Sequence, residues 1–225
     1  MNTTLLMPKL TVNPSLDFSL KQQINDTIDD LMARLPDIRE LTSAERRGII
    51  ARYTAVLEGN FIYWMTATLL AVKSEDARPI LLDNLHEEIR DAHPAMMRRF
   101  AVAAHAFPSE ADALAVDGDL TKLRLFLGKL SGVQSILTMA FFEGFIQRFM
   151  AYLADLAKAQ GSADMEYTDV HGVCDVEHTA GLFRALSVEM AINPLDPEKD
   201  LFEGVNLLRA LIENIVFNRV ATLPA

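Results

Sequence analysis

Cysteine is all but missing: Cys174 is the only one in 225 residues, so no internal disulfide can staple the fold. No N-terminal stretch combines a basic start, a long apolar run and a small-residue cleavage site in the manner of a signal peptide. Together these lead us to expect a reducing, cytoplasmic setting. Long hydrophobic runs are lacking too. The longest, Phe61 to Val72, is interrupted by Thr66 and Thr68 and falls well short of the roughly 20 residues that span a bilayer. Positive charge is in deficit, with 21 Lys and Arg against 31 Asp and Glu and a formal charge of −10. Such a chain has no general attraction to phosphate backbones or anionic lipid, so neither nucleic acid nor a membrane is the expected partner.

Alternating apolar and polar residues bounded by turns are absent as well, which argues against strands. What is present almost throughout is helical spacing. Leu16, Leu20, Ile24, Ile28, Leu31 and Leu35 share one face of a first segment that stops at Pro36. Thr42 and Glu45 have capping-box spacing and open a long helix to about Lys73. A third begins at Arg78 and Pro79, is interrupted by Pro94 and resumes to about Phe107. After Pro108, a short segment and an Asp117-Gly118 turn lead into Leu120 to Leu130. Gly132 to Gln160 and Glu166 to Ile192 are long helices. Asp196 as N-cap with Pro197 at the first helical position predicts a last one reaching Val220. The sum is an all-α, single-domain bundle of seven helices over residues 13–225, after a flexible tail at residues 1–12.

Histidine is also scarce, five in all, so its spacing is informative. In VHGVCDVEHT, His171, Asp175 and His178 are four and then three residues apart, within roughly 60° of arc on one helix face. Two further acids, Glu58 and Glu143, interrupt apolar stretches, and a buried unpaired carboxylate costs several kcal/mol. Each precedes a glycine, Gly59 or Gly144, as if something must approach closely there. Glu58 to His93 and Glu143 to His178 are both 35 residues, so the chain reads as two pseudo-repeats, each a Glu helix followed by a carboxylate-and-His helix. Folded together they would gather a ligand set for two metal ions. Glu88 and His93 are five apart, about 140° on a regular helix, so a break is expected between them, with Pro94 as its cause. On a regular helix His86 would replace His93, and Glu87 competes with Glu88. His105 has no carboxylate at ligand spacing. Carboxylates and imidazoles without thiolate suit iron or manganese, and helical bundles hold dimetal carboxylate sites in this way.

Glu58, the N-x3-E of Asn84 to Glu88, His93, the Glu143-Gly144 pair and the H-x3-D-x2-H of His171, Asp175 and His178 resemble the heme-oxygenase-like diiron (dimetal) oxidases. The resemblance implies a seven-helix heme-oxygenase-like fold with Glu58, Glu88, His93, Glu143, His171, Asp175 and His178 as ligands. It implies two Fe2+ ions, with manganese as the alternative, and O2 as co-substrate reacting through a peroxo-diferric species. The substrate would be a small amine, amino-acid-like or fatty-acid-like molecule, undergoing N-oxygenation or oxidative C–C cleavage. A reductant and a second copy of the chain complete the expected partners. The competing readings are a cofactor-independent thiaminase-like or quinone-cofactor-synthase-like member of the same fold, and a non-catalytic helical binding module. Both leave Glu58, Glu143 and the His171 triplet without a common cause.

Overall fold

The computed structural model describes residues 14–218, apart from the side chains of residues 14–18 and 173–175. The expected tail at residues 1–12 lies outside them. The described residues are helical with no strand, and form α1 Pro14–Ala33, α2 Ser43–Leu57, α3 Asn60–Ala71, α4 Arg78–Arg90, α5 His93–Ala103, α6 Glu110–Leu127, α7 Gly132–Ala159, α8 Glu166–Ile192 and α9 Glu203–Phe217. No helix among them is long and apolar enough to cross a membrane.

The bundle is built around α7. Every residue from Gly132 to Ile146 is buried, the pattern of a helix enclosed on all sides rather than lying on a surface. Helix α8 runs along it, and α1, α2, α3 and α9 cover the remaining faces. Leu20, Ile24, Ile28 and Leu31 form the buried stripe of α1, as their spacing predicts. Phe145 and Phe149 stack at 5.0 Å, and Trp64 meets Phe142 edge-on at 5.4 Å. Gly144 serves close packing: a Cβ there would stand 3.0 Å from Ile28 Cδ1 of α1.

Nine helices replace the expected seven among the described residues, because two of the segments are broken. The long helix from Thr42 does open with a capping box on Glu45, but it ends at Leu57. Glu58 leaves the helical region (ψ 99°), and Gly59 takes a left-handed conformation (φ 78°) that glycine adopts without steric cost. The break expected before Pro94 is present, between Arg90 and His93, with Ala92 left-handed at φ 55°.

Two boundaries differ from expectation. No turn forms at Asp117-Gly118, since α6 runs straight through it. Ser109 and Asp112 make a capping box, and Val116, Leu120, Leu123 and Leu127 bury one face, which together outweigh the roughly 1 kcal/mol cost of an interior glycine. The last helix starts at Glu203, not Asp196, and ends at Phe217. Asp196 Oδ1 accepts the Glu198 N–H at 3.0 Å and Asp200 Oδ1 that of Phe202 at 2.9 Å, local turns that compete with helix formation.

These packing details make opposite predictions for two glycines. A Cβ on Gly118 meets nothing within 4 Å, whereas one on Gly204 would lie 2.1 Å from Thr138 Oγ1 and 2.3 Å from Phe126 Cε1. Urea unfolding should show Gly118→Ala more stable by about 0.5–1 kcal/mol and Gly204→Ala less stable by about 1–3 kcal/mol. A loss at Gly118 would mean that α6 does turn there.

Candidate metal centre

Three of the expected ligands converge. Oxygen of Glu88 and ring nitrogens of His93 and His171 lie within 4.8 Å of one another, and the residues are 5%, 4% and 6% exposed. The break after α4 makes this possible: it turns the start of α5 so that His93 Nδ1 comes 2.8 Å from Glu88 Oε1, which a continuous helix would forbid. His171 enters from α8, its Nε2 3.8 Å from the same oxygen. Its Nδ1 is 2.8 Å from the carbonyl of Tyr167, one turn earlier. An N–H donated to that carbonyl turns Nε2 toward Glu88, the orientation device usual for metal-binding imidazoles. The Tyr167 ring, 4.3 Å from that of His171, holds it from the side.

A second group adjoins the first. Glu143 of α7 is 3% exposed and accepts from Asn84 Nδ2 at 2.9 Å; Asn84 Oδ1 is buried with no hydrogen-bond partner among the described residues. His178 of α8 points Nδ1 toward Glu143 Oε2 at 3.9 Å, while its Nε2 is 2.8 Å from Glu87 Oε2. The adjacent acids Glu87 and Glu88 thus divide: Glu88 meets His93 and His171, and Glu87 meets His178. The Asp175 side chain lies outside the described residues. Glu58 is not gathered with the others. The helix break leaves it at the end of α2, 29% exposed and paired with Arg98. His86 and His105 are exposed.

The charges differ between the groups. Burial pushes the Glu88 carboxyl up, but the imidazoles of His171 and His93 outweigh it and hold it at about 2. For His93, burial works against the proton and Glu88 more than restores it, so its pKa is raised. Burial dominates at Glu143, whose carboxyl stays above the usual range despite His178 and Asn84. Contrast Glu189, an equally buried acid of α8: the amides of Lys73 and Ser74, at 3.0 and 2.8 Å, and Asn193 Nδ2, at 2.9 Å, supply it with three donors. Glu189 ties a loop to α8; among the described residues Glu143 has one hydrogen-bond donor.

The donor set fits a hard or borderline divalent cation. Ligand atoms about 2.1 Å from a common ion stand roughly 3–4 Å apart, a range that already contains the 3.8 Å between Glu88 Oε1 and His171 Nε2. On the α2, α3, α5 and α7 side, a cavity of about 30 Å3 touches Glu88, His93, Glu143 and His171. Its walls include Leu57, Phe61, Ile62, Phe142 and Ile146, and its size suits a water or a diatomic molecule. On the α4 and α8 side, a polar pocket of about 190 Å3 is lined by Asp83, Glu87, Glu177, His178 and Arg184.

Spacing alone did not reveal Tyr167, Asn84, Glu87 or Arg98 as partners of the candidate ligands. Tyr167 stands four residues before His171, so helical periodicity carries that signal, whereas Asn84 meets Glu143 and Glu87 meets His178 across helices. Arg98 on Glu58 has no local signature. No protein-family model matches the chain, and no curated protein matches it.

If the Glu143 carboxylate is held for a cation rather than for the fold, Glu143→Gln should stabilise the metal-free protein by on the order of 1 kcal/mol, because it removes a buried charge and keeps an acceptor for Asn84. A lower thermal midpoint would instead make Glu143 a structural group like Glu189.

Proposed function

We propose that this chain is a non-heme dimetal oxidase of the heme-oxygenase-like kind, using iron, with manganese as the alternative metal. It would use O2 to oxidise a small amine, amino-acid-like or fatty-acid-like substrate. The observation that carries this reading is the buried gathering of Glu88, His93 and His171 next to the buried Glu143 and the Nδ1 edge of His178. One ion would take Glu88, His93 and His171; the other would lie toward Glu143 and His178, with Asp175 as a further ligand that the resemblance implies, whereas Glu58, which it also implies, would first have to leave Arg98 and turn inward. Ferrous ions bound there supply the electrons and the open coordination that O2 reduction needs.

The chain's own residues do the rest. The Tyr167 carbonyl fixes which nitrogen His171 offers. Leu57, Phe61, Ile62, Phe142 and Ile146 keep bulk water from the ligands and leave an apolar space beside them, which strengthens electrostatic interactions within. An apolar part of a substrate would lie against that wall. Phe61 and Ile62 stand in the first turn of α3, directly after the Glu58-Gly59 break.

A single-ion centre is the second reading, favoured because Glu88, His93 and His171 are the group of three potential ligands brought within 4.8 Å among the described residues. Anaerobic Fe(II) titration separates the two. The dimetal reading expects two ions per chain and O2 consumption when oxygen is admitted; one ion supports the alternative. Glu88→Ala or His171→Ala should weaken iron binding by more than the roughly 10–100-fold typical of residues behind the ligands, with helicity retained. Failure to take up iron or manganese at all would favour the cofactor-independent or binding-module readings.

A further inference from the structure

The ligand assignment leaves Glu87 unused, although it makes one of the shortest contacts in the centre. Consecutive residues of a helix point about 100° apart. On α4 this turns Glu88 toward His93 and His171, and Glu87 toward α8, where its Oε2 is 2.8 Å from His178 Nε2. A carboxylate at that distance accepts an Nε2–H, so in the neutral ring Nδ1 is the nitrogen left to bind an ion. Nδ1 is the atom that faces Glu143, 3.9 Å from Oε2.

His171 shows the same logic in mirror form. Its Nδ1–H goes to the Tyr167 carbonyl at 2.8 Å and its Nε2 faces Glu88. The two imidazoles of α8 therefore offer opposite nitrogens, because one is anchored by its own helix and the other by α4.

We infer that Glu87 is a positioning residue for the second ion, holding His178 so that Nδ1 rather than Nε2 is its ligand atom. This rests on the dimetal reading. Glu87 itself stays on the water side of the imidazole: its side chain is 34% exposed against 10% for His178, and it lines the polar pocket with Asp83, Glu177 and Arg184. An ion between His178 Nδ1 and Glu143 would lie behind the ring, beyond Glu87.

The test is anaerobic Co(II) titration of the full chain, followed by visible absorption. The wild-type protein should take up two ions. Glu87→Ala should leave one ion at wild-type affinity and weaken the other by about 10–100-fold, the usual effect of losing a ligand's outer partner. Glu87→Gln, whose Oε1 still accepts the Nε2–H, should recover most of that affinity. At saturation both variants should keep the wild-type band positions, because the ligand atoms are unchanged. Two ions bound equally well by Glu87→Ala would overturn the inference, as would shifted bands in both variants, which would make Glu87 a direct ligand. Fewer than two ions in the wild-type protein would overturn the dimetal reading itself and the inference with it.

Discussion

Glu88 and Glu143 are carboxylates almost wholly removed from water where α4, α5, α7 and α8 meet, and each has to be answered by hydrogen bonds, by a neighbouring positive charge or by keeping its proton. Glu88 is answered by imidazoles, which hold its carboxyl at about 2. Glu143 is answered less completely and stays above the ordinary range. The surrounding architecture follows from placing these two groups: an enclosed α7 to carry Glu143 inward, and a break in the chain to let Glu88 and His93 meet.

Two backbone irregularities do opposite work around that pair. Ala92, left-handed between α4 and α5, turns His93 back onto the carboxylate five residues before it. Gly59, left-handed between α2 and α3, sets Glu58 outward to Arg98 while Leu57, Phe61 and Ile62 close the apolar side of the centre. The centre thus has an apolar flank and a polar one, with the imidazoles of α8 fixed between them by the Tyr167 carbonyl and Glu87.

Much of this was legible in the amino-acid sequence. Helical spacing gave the all-α architecture and the buried face of α1, and the five-residue interval from Glu88 to His93 required a break that Pro94 made physically reasonable. The Glu-Gly repeat was a weaker guide. Gly144 admits Ile28 within a continuous helix whereas Gly59 ends one, so equal dipeptides place Glu143 inside and Glu58 at the edge. The Asp117-Gly118 turn and the Asp196 helix start failed because capping and burial at a distance outweigh a local signal. Long-range pairs such as Glu87 with His178 or Glu58 with Arg98 depend on how helices lie against each other, which periodicity within one helix does not encode.

If Glu88, His93 and His171 hold one metal ion with a second beside it, a crystal structure of the anaerobically iron-loaded protein, with anomalous scattering recorded at the iron edge, will show both. Two anomalous peaks roughly 3.5–4 Å apart are expected. One should lie about 2.0–2.2 Å from the carboxylate and imidazole atoms of Glu88, His93 and His171. A fully loaded crystal with no peak at these three side chains, or with iron only at surface carboxylates, would contradict that arrangement.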